Sequence, residues 1–279
     1  MPRNNSARTS APEEPQVQQT SQSLESILNF VVPTEFVNLP SKGLFYKSDH
    51  SLHNKETIEI KHISAREIDI LSSQSLLKKG VALDRMIESI IVDKTINVPE
   101  MLNVDKNAVI VAARVTSFGS AYGAKIECRK CGSTYDADFD LEESERYDFD
   151  EDELEMSENG TFFVTLPQTE VRVECRVLNS KDEKMLEERR AKKERLNLPE
   201  SFVSDQYKSL IVSLNGVTER GLVDEFVDVM PAADLHFLTR ECERLMPTLN
   251  YVGDTTCDSC GHGNEVEVPF TTSFFWPER

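Results

Sequence analysis

Two CxxCG motifs are the residues of this sequence best suited to chemistry. Two cysteines separated by two residues, followed by glycine, place both sulfur atoms on one tight turn, which provides half of a tetrahedral Zn²⁺ site. A redox CxxC instead lies at the start of a helix, which lowers the thiol pKa. No helical pattern follows either motif, so structural zinc is favoured over a redox pair or ordinary reduced thiols. The motifs are Cys128-Arg129-Lys130-Cys131-Gly132 and Cys257-Asp258-Ser259-Cys260-Gly261.

Alternating apolar and polar residues flank both motifs and indicate the strands that must position them. This period of two is typical of β-strands with one buried face. We therefore predict that each motif forms the tip of a β-hairpin, and we name the two the first and second CxxCG hairpins. The alternating apolar residues are Ala124, Ile126, Tyr135, Ala137 and Phe139 around the first motif and Val266, Val268 and Phe270 after the second.

Each hairpin supplies two thiolates, whereas a structural zinc takes four ligands. We favour one shared site made by Cys128, Cys131, Cys257 and Cys260, although the 125 residues between the two pairs far exceed the spacing in an ordinary zinc ribbon. The alternative is two separate sites, with His262 joining the second pair; no histidine lies near the first. Four thiolates leave no open position for a substrate, so the shared site would stabilise the fold rather than catalyse a reaction.

The order of elements repeats along the chain. A strand followed by a capping box at Ser64-Ala65-Arg66-Glu67 is matched by a strand followed by Ser180-Lys181-Asp182-Glu183. Asp105, a candidate N-cap, precedes Cys128 by 23 residues, and Asp234 precedes Cys257 by the same number. The sequence thus predicts an α+β fold of two similar strand–helix–zinc-knuckle halves that arose by internal duplication. Independent use of common structural pieces is the alternative.

Composition sets the predicted domain boundaries. Residues 1–23, rich in Ser, Gln, Pro, Asn and Thr, are predicted to form a disordered tail. Residues 24–139 form the first half with its zinc knuckle, and 161–279 form the second half with the other. Residues 140–160 form an acidic linker, because 140–158 contain eleven carboxylates against one arginine and repel one another.

Charge, hydropathy and missing motifs exclude several function classes. A net charge of −18 argues against binding to a nucleic-acid backbone, and no apolar run is long enough for a membrane span. Six cysteines are too few for a disulfide scaffold, and no secretory signal is recognisable, which indicates a reducing cytosolic compartment during synthesis. No phosphate-binding glycine loop, nucleophile elbow or HExxH motif is present, so we expect no enzyme.

Further segments carry a resemblance to a known family, over about residue 34 to the C-terminus. They are Leu39-Pro40-Ser41-Lys42-Gly43-Leu44-Phe45-Tyr46, Ile58-Glu59-Ile60-Lys61, residues 73–80, Leu83-Asp84-Arg85, the run from Asp105 through Ala112-Ala113-Arg114 to the first CxxCG hairpin, and Phe274-Phe275-Trp276-Pro277. With them the chain resembles the baseplate hub proteins of contractile-tailed bacteriophages. The resemblance implies a non-enzymatic hub subunit in the virion tail baseplate, or a factor acting in the host cytoplasm during assembly. The implied partners are other baseplate hub or tail proteins.

Two alternatives remain open at this point. One is a baseplate assembly chaperone that is absent from the mature virion, and the other is a zinc-ribbon nucleic-acid-binding protein. Strand edges, the apolar stretch at 24–32 and the aromatic cluster at 274–276 are candidate contact surfaces for partners. The apolar stretch could equally pack against its own domain, and for the aromatic cluster closure of the core is the favoured interpretation.

Overall fold

Short helices and short antiparallel strands alternate along the chain. A computed structural model describes residues 33–143, 146–147, 154–196, 199, 201–268 and 272–275. The helices described are α1 (Ala65–Ser72), α2 (Gln74–Lys78), α3 (Ala82–Ile90), α4 (Asn103–Phe118), α5 (Ser180–Arg195), α6 (Phe202–Leu210), α7 (Arg220–Val229) and α8 (Ala232–Leu245), with 3₁₀ turns at Val98–Glu100, Leu141–Glu143 and Thr272–Phe275. This mixture of helices and small antiparallel sheets is consistent with the predicted α+β class.

The strands form several small sheets rather than one large one. The strands are β1 (Thr34–Asn38), β2 (Thr57–Lys61), β3 (Ala121–Glu127), β4 (Thr134–Asp140), β5 (Arg146–Tyr147), β6 (Thr161–Thr165), β7 (Arg172–Arg176), β8 (Ile211–Leu214), β9 (Thr248–Leu249), β10 (Val252–Thr256) and β11 (Gly263–Glu267). Among the described residues, β1–β2, β3–β4, β5–β9 and β10–β11 are antiparallel pairs, and β6–β7–β8 is an antiparallel sheet of three strands.

The β1–β2 and β6–β7 ladders have the same length and register. Each joins five residue pairs, running from Thr34↔Lys61 to Asn38↔Thr57 in one and from Thr161↔Arg176 to Thr165↔Arg172 in the other. A helix follows each ladder. Its N-cap, Ser64 or Asn179, lies three residues beyond the second strand and forms a capping box. The two regions therefore agree in pairing as well as in element order.

The second capping box lies one residue earlier than the sequence predicted. Asn179, not Ser180, is the N-cap: its backbone is extended and its side-chain oxygen accepts backbone N–H groups of the first turn. The carboxylate of Asp182, the third helical residue, accepts a hydrogen bond from the Asn179 N–H. Ser180 is the first helical residue, and its hydroxyl donates to Asn103 at 2.7 Å. Asparagine caps as well as serine, so the motif does not by itself identify the cap.

Asp105 has a different role from the predicted N-cap. Helix α4 begins at Asn103, which makes Asp105 its third residue, and the carboxylate is fully buried. It accepts hydrogen bonds from the Ser41 N–H at 3.0 Å, the Ser41 hydroxyl at 2.6 Å and the Tyr46 hydroxyl at 2.7 Å. Burial raises the pKa of Asp105 although these bonds oppose the shift. The carboxylate thus fixes the turn after β1 against the start of α4.

Asp234 makes the corresponding contact in the second region. It is the third residue of α8 and is also fully buried. Its carboxylate accepts the Gln168 N–H at 2.8 Å, the Thr169 N–H at 3.0 Å and the Thr169 hydroxyl at 2.7 Å. The turn that it holds follows β6, as the Ser41 turn follows β1. Each of these helices leads to one CxxCG hairpin, so each hairpin is anchored to a small sheet through a buried aspartate.

The buried side chains form one continuous core with members from Val37 to Phe275. Phe274 and Phe275 lie in this core, so they are not the partner surface that the aromatic cluster suggested; Trp276 is outside the described residues. Buried Arg114 fixes them by donating to the carbonyl oxygens of Phe274 at 2.7 Å, Gly119 at 2.6 Å and Ala121 at 3.0 Å. Two further thiols, Cys175 and Cys242, are core residues.

Parts of the predicted domain scheme fall outside the described residues. These are the tail at 1–23, the apolar stretch at 24–32, and residues 144–145 and 148–153 of the acidic linker. The described ends of the linker are paired: Arg146–Tyr147 joins β9, and the stretch 155–157 lies along β6. The boundaries at 24–139, 140–160 and 161–279 stay predictions. No helix in the described ranges has the length and apolar character needed to cross a membrane.

We predict that Asp105→Ala lowers the free energy of unfolding by about 3 kcal/mol, because it leaves three buried donors without an acceptor. Chemical denaturation followed by circular dichroism measures this. The control is Asp136→Ala, which removes an exposed carboxylate of β4 and should change stability by no more than about 0.5 kcal/mol. Equal stability of the two variants would contradict the anchoring role of Asp105.

Candidate metal centre

The two CxxCG hairpins have the same backbone geometry. In the first, the Cys128 N–H donates to Ser133 and the Gly132 N–H donates back to Cys128, both at 2.9 Å. In the second, the Cys257 N–H donates to His262 at 2.9 Å and the Gly261 N–H to Cys257 at 2.8 Å. Both glycines have positive φ, +70° and +64°, which favours glycine over residues with a side chain. Each turn therefore presents two sulfur atoms on one side.

The structure brings the four predicted cysteines together. The Sγ atoms of Cys128 and Cys260 are 3.7 Å apart, as are those of Cys131 and Cys257, and all four lie within 4.8 Å of one another. A tetrahedral ion with metal–sulfur bonds of about 2.3 Å separates its sulfur ligands by about 3.8 Å. All four thiols are free. The cluster can therefore hold one metal ion, and that these four residues bind it stays a prediction.

The alternative with two separate sites has no matching geometry. The clustered ligand atoms come from both hairpins, and His262 is not among them. Cys128 and Cys257 are buried, whereas Cys131 and Cys260 are exposed, so each hairpin provides one inner and one outer sulfur. An ion at this position would be reachable from solvent for loading, yet four sulfur ligands would leave it without an open coordination position.

Hydrogen-bond donors surround the sulfur atoms. Backbone N–H groups of Cys131 and Lys130 lower the pKa of Cys128, and the Ser133 hydroxyl is the main cause that lowers the pKa of Cys257 to about 6. The Ser133 Oγ lies 2.9 Å from the Cys131 Sγ and 3.4 Å from the Cys257 Sγ. These donors favour the thiolate form of Cys128 and Cys257, which is the form that binds metals. Burial and the three neighbouring sulfur atoms instead raise the pKa of Cys260 to about 12, although a backbone hydrogen bond from His262 opposes the shift.

A buried polar network joins the hairpins beside the cluster. The Tyr135 hydroxyl lies 2.6 Å from the Thr255 hydroxyl, so the network links β4 to β10. The Asn264 amide donates to Tyr135 at 3.1 Å and to the Cys128 Sγ at 3.8 Å. Polar ligand-orienting groups of this kind tune metal affinity. Asn264 and Ser133 were not among the predicted site residues, although Asn264 is a polar residue at an inward-facing position of an alternating strand.

Close packing also restricts the hairpin interface. A Cβ atom added at Gly253 in β10 would lie 2.5 Å from the ring of Phe139 in β4. Glycine therefore leaves room at position 253 for the ring of Phe139 from the other hairpin. The sulfur cluster thus sits at a contact that is fixed by packing and by hydrogen bonds on both sides.

Comparison with protein families identifies the class of the molecule. The family model described as T4 bacteriophage base plate protein matches residues 44–276, which is most of the chain. The chain therefore belongs to this family of phage baseplate proteins. Membership supports a structural role, places the protein in the virion tail, and indicates other phage tail proteins as its partners. Comparison with curated proteins and with solved structures returned no match.

We predict that the purified chain binds one divalent metal ion and that Cys128→Ser and Cys257→Ser each abolish stoichiometric binding. The reason is that the four ligands serve one ion, so removing a sulfur from either hairpin damages the same site. Metal content per polypeptide, measured by elemental analysis, gives the result. Cys242→Ala is the control, because this buried thiol lies outside the cluster. Two ions per chain, with one lost in each variant, would show independent sites.

We predict that Ser133→Ala weakens metal affinity about tenfold, as expected when a group that orients a ligand is removed. Without the hydroxyl the pKa of Cys257 rises from about 6, so protons compete better and the metal dissociates at a higher pH than in the parent protein. Chelator competition and pH titration of metal release measure both effects. Ser259→Ala, which alters an exposed serine of the other hairpin turn, is the matched control. No shift in either measurement would contradict the role of Ser133.

Proposed function

We propose that this protein is a non-enzymatic structural subunit of the phage baseplate hub that acts through protein–protein contacts. The observation that carries the proposal is the cluster of four sulfur atoms in a chain that belongs to a baseplate family. Such a cluster supports a stable scaffold, because it ties distant parts of the chain together and offers no position for a substrate. A rigid, correctly closed subunit is what a multiprotein assembly requires.

Zinc is the proposed ion. A tetrahedral set of four thiolates suits zinc and iron, and zinc has no redox chemistry that would make a structural site sensitive to oxidation state. The ion would join residues 126 positions apart in the chain, as between Cys131 and Cys257. Metal binding of this kind adds directly to folding free energy, on the order of 10 kcal/mol for structural zinc sites.

The scaffold is proposed to consist of two copies of one unit, joined by the acidic linker. Support comes from the matching ladders β1–β2 and β6–β7, the two capping boxes, and the two buried aspartates. The two CxxCG hairpins also pair their strands in the same register. Adding 129 to each number of the pair Gly123↔Asp138 in the first gives Val252↔Glu267, which is a pair in the second. The zinc ion would then lie between equivalent hairpins of the two units.

Protein partners are favoured over nucleic acid by the charge of the hairpins. Exposed carboxylates on the two hairpins lie near the cluster and would repel phosphates. The turn of the first hairpin offers only two cations, Arg129 and Lys130. The exposed carboxylates are Glu127, Asp136, Asp138, Asp254, Asp258, Glu265 and Glu267. The contacts proposed here are therefore with other hub or tail proteins, first in the host cytoplasm during assembly and then in the particle.

We predict that purified virions contain this protein in a fixed copy number and that the copies carry zinc. Quantitative mass spectrometry of purified particles, together with their zinc content, measures both. A chaperone that leaves before maturation is the alternative within the same class. Absence of the chain from virions, combined with its presence in assembly intermediates, would replace the subunit by that chaperone.

A further inference from the structure

In the described part of the chain, the outer edge of β1 is an open sheet edge. Strand β1 pairs with β2 on one side only. The Leu39 N–H donates to the Glu56 carbonyl, and the His62 N–H donates to the Pro33 carbonyl. Residues of an antiparallel pair alternate between bonding to the partner strand and facing away from it, so the backbone groups of Thr34, Phe36 and Asn38 point away from β2. Among the described residues, none forms a backbone hydrogen bond to this outer edge.

The corresponding edge of β6 is occupied by the chain itself. Adding 127 to the numbers of Thr34 and Phe36 gives Thr161 and Phe163, which hold the same positions in the matching ladder. The Phe163 N–H donates to the Glu155 carbonyl at 3.3 Å, and the Ser157 N–H donates to the Thr161 carbonyl at 2.8 Å. An extended segment therefore runs antiparallel along β6 and uses the groups that β1 leaves exposed.

A tight turn brings this segment back onto β6. The turn passes through Gly160, whose φ is +71°, and a Cβ there would lie 2.6 Å from the Phe45 carbonyl carbon. The position equivalent to Gly160 before β1 is Pro33. The proline ring fixes φ near −65°, so Pro33 cannot adopt the conformation on which this turn depends.

The aromatic residues at the two edges differ in their surroundings. Phe163 is covered by the guanidinium of Arg172, which lies 4.1 Å from the ring centre and forms an ion pair with Glu155. Thr57 holds the position of Arg172 in the other ladder and offers no such cover. Phe36 is accordingly 69% exposed. An exposed strand edge beside an exposed aromatic ring favours pairing with another chain.

We propose that the outer edge of β1 binds an extended segment of another phage tail protein, which adds an antiparallel strand to the β1–β2 sheet. The segment accepts hydrogen bonds from the Phe36 and Asn38 N–H groups, donates one to the Thr34 carbonyl, and places an apolar side chain over Phe36. Strand addition of this kind derives affinity from backbone hydrogen bonds and specificity from the side chains that alternate along the strand. The inference rests on the proposed structural function and names the surface through which it acts.

Hydrogen exchange tests the inference directly. Amide exchange in residues 33–39 is compared between the isolated chain and the chain in purified baseplates. The Phe36 and Asn38 amides should exchange at least about tenfold more slowly in the assembly, whereas the Val37 amide, already bonded within the ladder, should change little. Unchanged exchange at Phe36 and Asn38 in baseplates that contain the protein would overturn the inference and leave the structural function intact.

Paired variants test the backbone bond. Phe36→Pro and Phe36→Ala both remove the ring, but only proline removes the outward N–H, which β2 does not use. We expect incorporation into particles to be at least about tenfold lower for the proline variant than for the alanine variant; equal incorporation would overturn the inference. If Phe36→Pro fails to fold by circular dichroism, Asn38→Pro against Asn38→Ala provides the same comparison. A dimer of the isolated chain that Phe36→Pro abolishes would make the occupant a second copy and contradict the proposed partner.

Discussion

Convergence of four sulfur atoms from two hairpins is the constraint on which the rest of the structure depends. Cys128 and Cys131 lie on one hairpin and Cys257 and Cys260 on the other, yet their sulfur atoms are spaced as one tetrahedral ion requires. Bringing such distant segments together costs chain entropy, which metal–thiolate bonds can offset. Without a cation, four thiolates at this spacing would repel one another. A metal ion bound here would therefore stabilise the fold, and the fold would supply its ligands.

The elements behind the hairpins convert this local site into a scaffold. Asp105 and Asp234 each join the start of a helix to the turn after a strand, and each helix leads to one hairpin. The polar network between the hairpins places Asn264 and Ser133 next to the sulfur atoms of Cys128 and Cys257. The matching ladders differ at their outer edges: one is covered by its own chain, whereas no described residue pairs with the other.

Much of the centre could be predicted because cysteine spacing and strand alternation are local signals. The clustering of the four cysteines, the two hairpins and the order of elements could be predicted, and the family resemblance agrees with the baseplate family found. Roles that depend on tertiary contacts were not readable: Asp105 resembles an N-cap in sequence, but its partners Ser41 and Tyr46 are about 60 residues away. Helix α6 likewise ends at Leu210 for a tertiary reason, because Ile211 and Leu214 pair with β7.

X-ray absorption at the metal edge of the zinc-loaded protein tests the central claim most directly. We expect the zinc ion to have four sulfur neighbours at about 2.3 Å and no nitrogen or oxygen ligand. A first shell of two sulfur atoms with nitrogen or oxygen atoms at about 2.0–2.1 Å would contradict it, because the hairpins would then bind separate ions and the link between them would not exist.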